Sequence, residues 1–183
     1  MITREEHNTL QQHRLDKSRQ RYEHSDPETR ERYDATVKLC AGRVLDIGCG
    51  QALLGSLLKG VPSSSYIGID SWELILKEAP PDVRVQVDDA EHLPFGDEEF
   101  DTVVMGQVLE HVFNEHAAAG EAVRVLKQGG RLIVNVPRDE PEPRGAHVRV
   151  FTLDSLFALF RPHILWYRAD VMGRFWFLAG NKI

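Results

Sequence analysis

Cysteine and long apolar runs are both scarce in this sequence. Its two cysteines are Cys40 and Cys49, too few for the disulfide framework of a small secreted domain. Cys49 stands between two glycines, where a disulfide would stiffen a ligand contact, so a reduced, cytoplasmic chain is expected. No apolar stretch approaches the roughly 20 residues that span a bilayer. The opening Met1-Ile2-Thr3-Arg4-Glu5-Glu6 also lacks the apolar core of a secretory leader. Basic residues are outnumbered 22 to 28, for a net charge of −6. That balance argues against a nucleic-acid partner, whose phosphates require a basic surface. No acidic cluster with metal-ligand spacing occurs, so no metal is expected.

What is present suits one globular fold: 183 residues, 42% hydrophobic and 27% charged. Residues 1–40 are polar, and Thr3 with Glu6 and Ser25 with Glu28 are spaced as capping boxes at two helix starts. Pro27 fits the first turn of the second helix, and Tyr33, Val37 and Cys40 give it a thin apolar stripe. This segment reads as a lid, or as a substrate or oligomer contact, ahead of a main domain at 41–183. From residue 43 onward, short apolar runs alternate with helical stretches, the mark of βαβ units and a parallel sheet. Strands are expected at 43–47, 66–70, 83–87, 100–105 and 131–136. Helices are expected near 52–60, 72–78 and 114–127, the last ended by Gly129-Gly130. After a loop rich in proline and charge at 138–145, Thr152 is placed to cap a helix at 153–160. The final runs, 164–170 and 174–180, are separated only by Val171-Met172-Gly173. So short a link permits only an antiparallel hairpin.

The segment richest in chemical information is Arg43-Val44-Leu45-Asp46-Ile47-Gly48-Cys49-Gly50, a strand entering a glycine turn. Side chains at the glycines would block a ligand from the backbone, and the helix that follows offers free N–H groups. Asp70 ends the next strand, 20 positions after Gly50, where a carboxylate can accept from both ribose hydroxyls of a nucleoside. A dinucleotide fingerprint would need glycine or alanine at Leu53. Asp46 also sits badly beside a pyrophosphate, and suits instead a ligand carrying an ammonium group and a sulfonium centre.

With these residues the chain resembles the class I S-adenosylmethionine-dependent methyltransferases, in the small-molecule branch similar to the ubiquinone/menaquinone-biosynthesis type. Val44 to Gly50 matches that family's first motif, and Tyr66-Ile67-Gly68-Ile69-Asp70 its ribose-binding strand. Asp88-Asp89-Ala90-Glu91-His92-Leu93-Pro94-Phe95 is similar to its adenine-side motif. Phe100-Asp101-Thr102-Val103-Val104 and Leu126-Lys127-Gln128-Gly129-Gly130-Arg131-Leu132 match later motifs. One departure is Ala52, where the family usually has a third glycine. The resemblance implies a Rossmann-like three-layer α/β sandwich, with a seven-stranded, mostly parallel sheet whose last strand is antiparallel. It implies S-adenosylmethionine as cofactor, S-adenosylhomocysteine as product, and a small-molecule methyl acceptor. The cofactor would be bound by Asp46, Gly48, Cys49, Gly50, Asp70, Ser71, Trp72, Asp89, Ala90 and Gln107.

The ends of strands four and five face the reacting methyl group in such a sheet. Gln107 there either lines the methionine portion of the cofactor or is an exposed loop residue. His111 is a base or substrate contact, or else holds the loop before the next helix, and Glu110 shares that ambiguity. His147, beside Arg149, is either the general base or a loop contact without catalytic part. Trp72 packs on the adenine face or is an ordinary half-buried aromatic. The alternative to an active enzyme is a cofactor-binding protein that has lost catalysis and serves as a regulatory or scaffold partner. The acceptor atom and the oligomeric state are not legible.

Overall fold

A computed structural model describes residues 26–59, 65–138 and 146–183. The Thr3–Glu6 box, Ser25 and positions 139–145 lie outside the described residues. Seven strands form one sheet: β1 (Arg43–Ile47), β2 (Ser65–Asp70), β3 (Val85–Val87), β4 (Phe100–Gly106), β5 (Leu126–Pro137), β6 (Ile164–Met172) and β7 (Phe175–Lys182). Their order is β3-β2-β1-β4-β5-β7-β6. Only β7 runs against its neighbours, pairing antiparallel with both β5 and β6. The helices are α1 (Pro27–Leu39), α2 (Leu53–Leu58), α3 (Glu73–Leu76), α4 (Glu115–Val125) and α5 (Leu153–Phe160).

Alternation along the central strands builds the layers. Leu45 and Ile47 of β1, Val103 and Met105 of β4, and Leu132 and Val134 of β5 share a core with Ala118 and Ala122 of α4 and Leu156 and Phe160 of α5. Their neighbours Val44, Val104 and Ile133 join Ala35 of α1 and Leu54 and Leu58 of α2 on the other face. Both faces of β1 and β4 are therefore covered, which is why these strands read as unbroken apolar runs. The alanines of α4 let that helix approach the sheet closely.

Local signals set most of the element ends. Thr152 caps α5, accepting from Ser155 N–H while the Ser155 hydroxyl returns the contact to the Thr152 backbone. Asn114 caps α4 in the same sense. α1 starts on Asp26, whose carboxylate accepts from Thr29 N–H at 2.8 Å, so the cap lies one residue beyond the Ser25 expected from the sequence. Gly129-Gly130 does not end α4. That helix stops at Val125, and Leu126 is already extended. The glycines lie inside β5, where the register against β4 shifts between Phe100 and Thr102, so they mark an irregular strand entry.

Ala52 at the start of α2 is left-handed, with φ 54° and ψ 41°, and fully buried. An L-residue there costs roughly 1–2 kcal/mol. Removing the methyl releases that strain but loses about 0.8 kcal/mol of burial and adds unfolded-chain entropy. Ala52→Gly is therefore expected to stay within about 1 kcal/mol of the parent. Ala52→Val, β-branched in a left-handed, filled site, should cost about 2–4 kcal/mol. Thermal melts of the two variants check this, and equal stability of Ala52→Val and the parent would contradict it.

Candidate functional site

Strand order reverses between β1 and β4, because β2 and β3 lie to one side of β1 and β5 to the other. The carboxyl ends of β1 and β4, in register at Ile47 and Met105, thus open onto a crevice of the kind that binds ligands in open α/β sheets. The glycine loop leaves β1 at this point. Gly48 and Gly50 have φ of +69° and +54°, which only glycine adopts without strain. A Cβ on Gly48 would also collide with Val108, so the segment after β4 packs directly on the loop.

Asp70, at the end of β2, holds the loop. One carboxylate oxygen accepts from Gly50 N–H at 3.0 Å and the other from Trp72 N–H at 3.0 Å. Each oxygen thereby uses one lone pair on the backbone and keeps another for a ligand hydroxyl. Burial raises the Asp70 carboxyl above its usual range, and the N–H groups of Trp72 and Gly50 oppose that shift. Ser71 is exposed and Trp72 half-buried beside it.

Beneath the loop, Asp46 is 6% exposed and accepts from the Tyr66 hydroxyl at 2.8 Å. Burial pushes its carboxyl up to about 7, the Tyr66 hydrogen bond lowers it, and the charge of Asp70 raises it further. Cys49 is a buried free thiol, driven upward by burial and by the charges of Asp46 and Asp70. Gly68 makes room for this group: a Cβ there would lie 2.6 Å from Cys49 Sγ and 2.7 Å from the Tyr66 hydroxyl.

On the far side of the crevice, Gln107 is left-handed, with φ 62°. Its N–H donates to Asn135 O at 2.9 Å, and its Nε2 lies 3.4 Å from Asn135 Oδ1. Arg32 of α1 donates to the same Oδ1 at 2.8 Å and stacks on Phe175. Neither Arg32 nor Asn135 stood out in the sequence reading. Asn135 did leave a signal, a polar residue ending the apolar run Leu132-Ile133-Val134, and it is 2% exposed. Asp89 follows β3 and accepts from Glu91 N–H at 2.9 Å, forming a turn with Ala90 inside it. Glu91 in turn accepts from Phe113 and Asn114 N–H, which fastens this turn to the head of α4.

His111 and His147 come together, their rings 4.9 Å apart and edge to face. His111 Nδ1 is 3.1 Å from Ala146 O. Arg149 donates to the carbonyls of Leu109, Val112 and Phe113 and pairs with Glu115 at 3.0 Å. It therefore clamps the loop that carries Glu110 and His111. A separate cleft of about 530 Å³, between α1 and β6, is lined by Arg30, Glu31, Asp34, Lys38, Arg168 and Met172 among others. None of the sequence-predicted site residues lines it.

Residues 45–134 match the family described as a methyltransferase domain. The ubiquinone/menaquinone biosynthesis C-methyltransferase of Desulfotalea psychrophila is 34% identical over 99 residues, 51% of this chain and 40% of that protein. A protein of transposon Tn4556 from Streptomyces fradiae is 41% identical over 101 residues, 51% of this chain and 29% of the other. The chain thus spans less than half the length of these curated relatives. The crystal structure of an S-adenosylmethionine-dependent methyltransferase from Thermotoga maritima shares the fold, with a TM-score of 0.74 at 21% identity, covering 96% of this chain and 99% of that one.

The raised Asp46 carboxyl predicts a pH dependence of stability. Its ordinary value is 3.8 and its folded value about 7. Between these the fold holds a proton that the unfolded chain has released. Its contribution is therefore complete below about pH 4 and lost as pH rises through 7. Asp46→Asn keeps an acceptor for Tyr66 and removes that slope. Urea unfolding should show the variant gaining roughly 3 kcal/mol on the parent between pH 5 and pH 8. A pH-independent difference would contradict the assignment.

Proposed function

We propose that this chain, which belongs to the class I S-adenosylmethionine-dependent methyltransferases, transfers the methyl group of S-adenosylmethionine to a small-molecule acceptor in the crevice between β1 and β4. The observation that carries this reading is Asp70. Its carboxylate is fixed by Gly50 and Trp72 N–H and keeps lone pairs for the two ribose hydroxyls. The glycine loop lets the amino-acid part of the cofactor lie against the backbone. Asp46, buried just below, supplies negative charge toward an ammonium and a sulfonium. Asp89 accepts from the adenine amino group, Ala90 offers its N–H, and Trp72 covers the ring. Cys49 and Ser71 border the cofactor, and Gln107 faces its methionine portion.

The cofactor supplies an electrophilic methyl on a positively charged sulfur. Bound in the crevice, it would offer that methyl to an in-line displacement by an acceptor lone pair, with the C–S electrons going to sulfur. The chain's contribution is mainly to hold the two reacting atoms within about 3–3.5 Å. An acceptor that starts protonated must lose that proton, and His147 or His111 would receive it. Quinone-related acceptors fit the relative named for ubiquinone/menaquinone biosynthesis. The net charge of −6 favours such molecules over nucleic acid, and the reading places the chain in the cytoplasm.

Calorimetry with S-adenosylhomocysteine tests the cofactor half. One molecule should bind per chain, with no binding of NADH. Asp70→Ala should weaken binding about 100-fold, the loss of charge-assisted hydrogen bonds worth roughly 3 kcal/mol. Asp89→Ala should weaken it less, since backbone and stacking contacts to adenine persist. An unchanged dissociation constant for Asp70→Ala would overturn the assignment. Binding without methyl transfer to any member of a metabolite panel would favour the catalytically silent alternative.

A further inference from the structure

Two loops meet beside the crevice and bring three metal-ligating side chains together. Glu110 and His111 follow β4, and His147 arrives 36 positions later, just after the 139–145 segment. One ligand atom from each of Glu110, His111 and His147 lies within 4.8 Å of the other two. We propose that these residues form a binding site for a divalent transition-metal ion of the zinc class, at the acceptor side of the cofactor crevice. The proposal does not depend on methyl transfer.

The donor set selects the ion. Two imidazole nitrogens with one carboxylate oxygen suit zinc and iron(II), whereas magnesium and calcium prefer oxygen throughout. Zinc bound by two histidines and one glutamate keeps a fourth position for water or a substrate oxygen. Metal–ligand bonds of about 2.0–2.2 Å put tetrahedral donors about 3.4 Å apart. The trio would contract around an ion, a movement that side-chain rotation can supply.

The surroundings are built as support for ligands. A carbonyl oxygen only accepts, so the contact of His111 Nδ1 with Ala146 O places the proton on Nδ1. The lone pair then sits on Nε2, and this is how a carbonyl partner ordinarily orients a metal-bound histidine. Val148 N–H donates to Glu110 O at 2.8 Å, so the backbone on each side of His147 bonds to the Glu110–His111 turn. The Arg149 fork on Leu109, Val112 and Phe113 holds that turn from behind. Glu110 is 1% exposed, so an ion held by its carboxylate would be shielded from bulk water. Glu110 follows Gln107 by three positions in the sequence, and the open coordination position could take an ionisable hydroxyl or carboxylate of an acceptor.

Zinc titration of EDTA-treated full-length protein, read by calorimetry and by metal analysis after gel filtration, tests the site. The expected result is one zinc per chain. Glu110→Gln and His147→Ala should each weaken binding at least tenfold, and His163→Ala, at an exposed histidine elsewhere, should leave it unchanged. Circular dichroism melts establish that each variant is folded, and His147→Gln replaces His147→Ala if the latter is not. Wild-type protein that retains no zinc overturns the proposal without reference to any variant. So does zinc binding that survives both Glu110→Gln and the His147 substitution. The same samples titrated with S-adenosylhomocysteine report the cofactor site separately, so loss of one reading leaves the other standing.

Discussion

The hydrogen bond from Gly50 N–H to the Asp70 carboxylate joins the two halves of the crevice floor. It links the loop after β1 to the end of β2 across 3.0 Å, and a second N–H, from Trp72, fixes the other oxygen. Together with the Cys49 N–H, which donates to Ile69 O at 2.8 Å, it defines the path of the glycine loop over the sheet. With it the carboxylate is already oriented when a ligand arrives, so less of the binding energy is spent on ordering. Gly68 belongs to the same arrangement, because its missing side chain lets Cys49 and Tyr66 pack under the loop.

Charge is concentrated where the sheet is most buried. Asp46 and Asp70 are both removed from water, which raises both carboxyls, and the charge of Asp70 raises Asp46 further. Such a pair is an expensive feature in an apolar core, and its cost is relieved by a bound cation. A ligand that brings an ammonium and a sulfonium meets that need, whereas a pyrophosphate would worsen it. This electrostatic asymmetry distinguishes the crevice from a dinucleotide site of the same topology. The left-handed backbone at Ala52 and Gln107 lies on the two lips of the crevice, as strained residues at functional sites commonly do.

Much of this was legible from residue order. β1 and β4 read as strands because both faces are covered, so alternation vanishes and apolar runs remain. The terminal hairpin followed from the length of its link. Thr152 announced α5 by a local cap. Gly129-Gly130 misled for a physical reason: glycine serves equally at a helix end and at an irregular strand entry, and the sheet partner that decides between them is distant in sequence. Asp26 and Ser25 are both good caps, and the carboxylate at Asp26 makes the bond.

The candidate site is legible in sequence where one segment contains it, as with Asp46 to Gly50, or where a fixed spacing relates two strand ends, as with Asp70. It was obscure where partners come from unrelated elements. Arg32 reaches Asn135 from α1, across 103 positions, and nothing in a helix sequence marks that reach. Glu110, His111 and His147 make sense only once Arg149 and Val148 have fastened their loops together. A search for acidic clusters passes over a set built of two histidines and one glutamate.

The central claim is that the crevice binds adenosine through Asp70 with the sulfur turned toward the ends of β4 and β5. A crystal structure of the protein with S-adenosylhomocysteine tests it most directly. The account predicts both ribose hydroxyls within hydrogen-bonding distance of the Asp70 carboxylate, with its Gly50 and Trp72 contacts retained, and the sulfur facing Gln107. Ribose bound elsewhere, or a ligand in the cleft between α1 and β6, would contradict it.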